Sequence, residues 1–126
     1  MNYVDANILL YAVRDESYKG IKALELLEKQ KLVTSLLSLD EVAYKLLRNS
    51  RERAIAAVSG FSNSPNLVLV PFLASDLDAF KEFLQNGFDP RDAIHALTAK
   101  KMKCPVFYSE DADFDKAEDF VRKTPW

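Results

Sequence analysis

Five acidic residues stand where a fold could gather them: Asp5, Glu41, Asp92, Asp111 and Asp113. Asp5 closes the apolar run Met1–Val4. Glu41 lies three residues after Ser38, at the start of a helical pattern. Asp92 ends Asp89-Pro90-Arg91-Asp92, and Asp111-Ala112-Asp113 comes soon after Val106-Phe107-Tyr108. Carboxylates brought together repel one another unless a cation lies between them. A hard divalent ion such as Mg²⁺ takes oxygen ligands, usually one or two carboxylates completed by water and substrate phosphates. The chemistry such a pocket suits is metal-assisted hydrolysis of a phosphodiester, in which the ion supplies hydroxide and offsets charge on the leaving oxygen.

Each acid also has a local explanation. Ser38-Leu39-Asp40-Glu41 fits the capping-box pattern. Asp89 reads as an N-cap, Asp92 as an acid in a first turn and Asp5 as a cap for a helix starting near Ala6. No capping motif accounts for Asp111 or Asp113 after an apolar strand, so the joint pattern carries more than any one member.

The elements that must position these acids alternate. Met1–Val4, Lys31–Ser35, Leu67–Val70 and Val106–Tyr108 read as strands; Pro71 ends the third. Ile8–Val13, Ser17–Gln30, Leu39–Asn49, Glu52–Phe61, Ser75–Gln85 and Pro90–Met102 read as helices, with Asn86-Gly87 closing the fifth. The stretch from Phe114 to Trp126 has no clear pattern. Alternation of this kind predicts an α/β fold: one domain over residues 1–126, a three-layer sandwich with a central, mainly parallel sheet flanked by helices. In such folds, sites form outside the carboxyl ends of the strands.

Four motifs in order now carry a resemblance. They are Tyr3-Val4-Asp5-Ala6-Asn7-Ile8-Leu9-Leu10, Thr34-Ser35 with Glu41 on the next helix, Asp92-Ala93-Ile94-His95-Ala96-Leu97-Thr98-Ala99, and Ser109-Glu110-Asp111-Ala112-Asp113-Phe114. Nearly the whole chain resembles the PIN-domain family, and within it the VapC-type ribonuclease toxins of toxin–antitoxin pairs. The resemblance implies a Mg²⁺- or Mn²⁺-dependent endoribonuclease whose acidic quartet is Asp5, Glu41, Asp92 and Asp111. It implies metal ligation by Asp5, Asp92, Asp111 and Asp113, and places Asn7 and Ser109 as polar residues near the pocket, toward substrate. It further implies an RNA substrate, a partner antitoxin covering the acidic pocket, and self-association as a homodimer.

Other residues extend or limit this reading. Glu41, Lys45, Arg48 and Glu52 follow i, i+4, i+7, i+11, which places them on one helix face. Lys45 and Arg48 would then stand beside the pocket, where a phosphate backbone could run. The simple alternative is a Glu41–Lys45 surface pair. His95, the only histidine, reads as a packed or capping residue rather than a general base, and a single histidine excludes a His-based nuclease or a zinc site. Cys104 reads as buried filler. Tyr11, Tyr44 and Phe61 could stack bases, but core packing explains each as well.

Composition bounds the rest. With 126 residues, 48% hydrophobic and 29% charged, the chain is an ordinary globule rather than a disordered or fibrous one. A single cysteine excludes an internal disulfide and fits a reducing compartment. No run approaches the ~20 apolar residues of a membrane span, so a cytoplasmic protein without membrane contact is expected. A net charge of −2 gives no general electrostatic pull on nucleic acid. Six acids crowd between Glu110 and Asp119 against Lys116 alone, which is either a solvated helix end or part of a metal pocket. Three scattered glycines exclude a dinucleotide-binding loop. A phospho-receiver-like signalling domain would need adjacent acids after the first strand and an acceptor after a middle strand; Asp5 stands alone and Leu67–Val70 runs into Pro71-Phe72. Within the resemblance, the alternative is a PIN fold that binds or regulates with little catalysis.

Overall fold

The computed structural model describes residues 1–14 and 16–126. Its sheet has five strands: β1 (Asn2–Val4), β2 (Leu32–Ser35), β3 (Leu67–Val70), β4 (Val106–Tyr108) and β5 (Val121–Lys123). They lie in the order β3-β2-β1-β4-β5, and every pairing is parallel. The connecting helices are α1 (Ala6–Arg14), α2 (Tyr18–Lys29), α3 (Leu36–Leu47), α4 (Arg51–Ser62), α5 (Leu77–Gln85) and α6 (Pro90–Lys101).

Alternate side chains of a strand face opposite ways, and here each face has its own core. Val4, Leu32 and Leu67 join Ile8, Leu9, Val42 and Leu46 on the side covered by α1 to α4. Tyr3, Val33, Val70 and Phe107 join Phe83, Ala93, Ala96 and Phe114 on the side of α5 and α6. The result is the three-layer α/β sandwich, with a sheet that is wholly parallel. On the second face Tyr3 stacks on Phe107 with centroids 4.6 Å apart, and Phe107 contacts Phe114 at 4.3 Å. This aromatic stack lies beneath the carboxyl ends of β1 and β4.

Those two strands are where the topology turns. The chain leaves β1 toward β2 and β3 on one side, then crosses back to lay β4 on the other. A crevice opens at such a switch point, outside the carboxyl ends of the strands. Asp5 follows β1, and Ser109 to Asp113 follow β4.

Four local expectations are corrected. Helix α1 begins at Ala6 rather than Ile8, because Asp5 receives the Ala6 N–H at 2.7 Å while its carbonyl takes Ile8 N–H at 3.1 Å. Helix α3 begins at Leu36, capped by Ser35, whose hydroxyl accepts the Leu37 N–H at 3.2 Å. Ser38 is therefore inside the helix, buried with its hydroxyl 2.6 Å from Thr34 Oγ1, and the capping box is not formed. Helix α3 stops at Leu47 and Ser50 caps α4, so Glu52 does not share a face with Glu41. Finally, the unassigned tail supplies a 3₁₀ turn (Ala112–Lys116) and the edge strand β5. Two helix ends fall in the left-handed region. Gly87 at φ 91° closes α5 as its Asn-Gly signal requires, while α6 uses Lys103 at φ 54°.

Candidate active site

Three carboxylates from two elements meet at the crevice. One oxygen from each of Asp92, Asp111 and Asp113 lies within 4.8 Å of the others. Asp92 is in the first turn of α6, with Pro90 as its first residue. Asp111 leads the 3₁₀ turn after β4 and accepts the Asp113 N–H at 2.9 Å. Asp111 thus has a capping role that its sequence context did not show. Burial, then the neighbouring Asp111 and Asp5, push the Asp92 pKa up to about 6, with His95 opposing. The group is half ionised near pH 6 rather than near its ordinary value, as a partly buried carboxylate among like charges should be.

Asp5 stands beside this trio rather than within it. It is 6% exposed, and its oxygens are committed. Oδ1 takes the Ala6 N–H; Oδ2 takes the Ser109 hydroxyl at 2.7 Å and the Asn7 amide at 3.4 Å. Burial raises its pKa, while His95, Ser109 and the Ala6 N–H oppose the rise. Ser109 also accepts from Asp111 N–H at 3.0 Å and Asn7 at 3.2 Å. A fully buried serine tying Asp5 to Asp111 has no face left for substrate, so its expected role changes from substrate contact to support. Asn7 is tied in as well; its side-chain oxygen accepts Glu110 N–H at 3.4 Å.

Glu41 reaches the site from α3, on the second turn, and meets His95 Nε2. His95 is buried on α6; its Nδ1 is 2.6 Å from the Tyr3 hydroxyl and its Nε2 3.7 Å from Asp5 Oδ1. Burial opposes a charge on His95, but Tyr3, Glu41 and Asp5 outweigh it and hold its pKa well above the ordinary range. The expectation of a packed histidine describes its burial and misses its contact with Glu41.

Beside the acids runs an open cleft of about 600 Å³ lined by Asn7, Leu10, Tyr11, Arg14, Lys45, Glu110 and Asp111. Lys45 is there as expected from its spacing after Glu41. Arg48 is not; it caps α3 and lies over the Tyr44 ring at 5.2 Å. Arg14 was overlooked. Asn7, Tyr11 and Arg14 fall at i, i+4, i+7 on α1, and this spacing alone places them on one face. Glu110, at the rim, is held ionised by a Tyr11 hydrogen bond and by Lys19 at 3.2 Å.

A sequence profile of the PIN domain matches residues 3–119. The chain belongs to the PIN domain family. The PIN sandwich is also what solved structures share with it. The Mycobacterium tuberculosis toxin VapC20, described as cleaving the sarcin-ricin loop, superposes with TM-score 0.80 at 20% identity, over 96% of this chain and 97% of that one. VapBC2 of Rickettsia felis, bound to a promoter DNA fragment, gives 0.74 at 19% identity, over 98% of each chain. FitAcB of Neisseria gonorrhoeae gives 0.70 at 15% identity, over 100% and 99%. A comparison with curated protein sequences finds no match. Among the described residues no helix is long and apolar enough to cross a membrane. PIN membership also removes the receiver-domain alternative, in keeping with β3 running into Pro71 without an acid.

Proposed function

We propose that this PIN domain is a metal-dependent endoribonuclease that hydrolyses RNA phosphodiester bonds and acts as the toxin of a toxin–antitoxin pair. The observation that carries this reading is the meeting of Asp92, Asp111 and Asp113, with Asp92 raised to about 6. Three clustered carboxylates fit a hard divalent ion, Mg²⁺ or Mn²⁺, and an all-oxygen donor set disfavours softer metals. Asp92, Asp111 and Asp113 would hold it, with Asp5 and Glu41 at the inner wall. When bound, such an ion supplies a hydroxide near neutral pH and charge stabilisation at the leaving oxygen.

The chain's own residues do the rest. Ser109 and Asn7 fix Asp5, and the Asp113 N–H fixes Asp111, so the carboxylates are set before the ion arrives. Lys45 and Arg14 flank the cleft that leads from Asp111, at the height a phosphate backbone would take. Arg48, the other cation expected to help, stands farther along α3 and would act at the cleft's margin. The toxin role is supported by neighbours that are VapC, VapBC and FitAB proteins, and the toxin–antitoxin complex among them supports an antitoxin partner; a homodimer and a cytoplasmic setting are part of the same proposal.

Purified protein incubated with a mixed RNA substrate tests the reading. Cleavage is expected with Mg²⁺ or Mn²⁺ and not in excess EDTA; equal cleavage in EDTA overturns it. Lys45→Ala is expected to lower the salt dependence of RNA binding by about one counterion while leaving metal affinity unchanged. An unaltered salt slope returns Lys45 to the solvated surface.

A further inference from the structure

The site's least exposed hydrogen bonds fix where the proton of His95 must be. Tyr3 is fully buried, and its hydroxyl oxygen has two partners. One is the Ser35 backbone N–H at 3.0 Å, which can only donate. The other is His95 Nδ1 at 2.6 Å. The hydroxyl oxygen accepts from Ser35, and toward a neutral imidazole its own proton goes to the Nδ1 lone pair. A neutral imidazole has one protonated nitrogen. With Nδ1 accepting, that nitrogen is Nε2. An imidazolium would bear a proton on Nε2 as well. The tautomer with hydrogen on Nδ1 alone would leave Nε2 and the Glu41 carboxylate as facing acceptors.

We infer that His95 is a positioning residue: Tyr3 locks its ring so that Nε2 always presents N–H to Glu41, and never a lone pair to the pocket. The relay runs from the Ser35 N–H to the Tyr3 oxygen, from the Tyr3 hydroxyl to Nδ1 at 2.6 Å, and from Nε2–H to Glu41 Oε1. It joins β2, β1, α6 and α3. Glu41 is 54 residues from His95 and stands on a different helix, so this contact ties α3 to α6. The N–H therefore fixes one carboxylate oxygen, Oε1. Donors behind a working carboxylate set its angle, and losing one commonly lowers metal affinity or activity 10–100-fold. The same geometry excludes His95 as a general base, since the nitrogen on the pocket side carries a proton in both allowed states.

This inference rests on the ribonuclease reading only for its consequence, and the test separates the two. His95 is the single histidine, so the ring nitrogens of ¹⁵N-histidine-labelled protein give one assignable pair of signals. Expected is a protonated Nε2 through the neutral range; an unprotonated Nε2 overturns the relay whatever the activity. Two amide substitutions then ask what the N–H does. The amide of glutamine reaches the place of Nε2, while that of asparagine stops near Nδ1. His95→Gln should keep metal-dependent RNA turnover within about threefold, and His95→Asn should lower kcat tenfold or more with RNA KM unchanged. Equal loss in both, or loss in neither, overturns the positioning role. If either variant fails to fold, the ring spectrum of the unsubstituted protein decides alone. Absence of any metal-dependent cleavage overturns the ribonuclease reading instead, with the spectrum still deciding the relay.

Discussion

Two aspartates are almost equally buried, Asp5 at 6% exposure and Asp76 at 8%, yet their surroundings treat them in opposite ways. Asp76 lies just before α5, away from the crevice. Lys101 Nζ contacts it at 2.8 Å and the Leu73 N–H donates to it at 2.9 Å. The lysine and the backbone donor hold its pKa below the usual carboxylate range. This is a closed arrangement: one acid, one cation, a backbone donor. At the crevice the acids Asp5, Asp92, Asp111 and Asp113 face one another, with His95 as the only buried counter-charge among the described residues, and both Asp5 and Asp92 are pushed upward. The contrast teaches how to tell a structural carboxylate from a binding one. A fold that only needs to bury an acid supplies its cation. A fold that leaves several acids facing each other holds a place for a cation from outside.

The contrast is broken most severely by removing a charge from the crowded side and reading chemistry. Asp92→Asn should lower metal-dependent RNA cleavage at least a hundredfold while the fold persists, because carboxylates that act as a unit fail together. Cleavage within tenfold of the unsubstituted protein would show that the trio is not the working set. The matching change on the closed side should leave cleavage alone. Asp76→Asn removes the ion pair with Lys101 and should cost about 1.5–3 kcal/mol of stability, the usual worth of hydrogen bonds to a charged group. Chemical denaturation of the two variants reads both halves; a silent Asp76→Asn would mean Lys101 is satisfied elsewhere.

Much of this arrangement is legible in the sequence, and the illegible parts share a cause. Strands β1 to β4 are short runs with clear stops, and the acids after β1 and β4 mark the crevice. Strand β5 escapes notice because it is three residues long, polar and at an edge, where Arg122 serves Asp115 at 2.7 Å and the Ser109 carbonyl at 3.1 Å. Ser38 and Glu41 imitate a capping box, but Ser35 is one turn earlier and takes the role. The helical pattern running past Asn49 hides the break between α3 and α4, so Glu52 is placed wrongly by spacing. The pairs His95–Glu41 and Lys101–Asp76 are 54 and 25 residues apart. Contacts at that range leave no local period to read.

Proton linkage sharpens the contrast, since the two sides have opposite signs. Asp92 is raised from 3.8 to about 6. In the unfolded chain it ionises near 3.8; in the fold it resists until about 6. Stability without metal should therefore fall as pH rises from about 4 to about 6, then level off. Asp76 is lowered, so its contribution is complete above the unfolded value and is lost as pH falls below about 4. Melting curves in EDTA across this range should show a maximum near pH 4. Asp92→Asn should flatten the upper slope, and Asp76→Asn the lower one. A single maximum near neutrality, unmoved by Asp92→Asn, would contradict the crowding of the acids.

The smallest effect is the most discriminating, because it asks one residue to act in both ways. Asp111 caps the turn after β4 through its bond to the Asp113 N–H, and it also stands in the trio. Asparagine keeps an oxygen for that bond and gives up the charge. If capping is its whole role, Asp111→Asn should change stability by no more than a few tenths of a kcal/mol, with or without metal. If it also belongs to a crowded cation site, removing its charge should relieve repulsion and raise the melting temperature slightly in EDTA. In Mn²⁺ the order should reverse. Metal bound only to the folded state stabilises the unsubstituted protein by about 2.7 kcal/mol at a hundred times its Kd, and the variant should lose most of that gain. The expected result is a crossover of the two melting temperatures between buffers. Parallel shifts in both buffers would place Asp111 with Asp76 on the structural side, and the crevice would then lack the third oxygen donor on which its reading as a metal site depends.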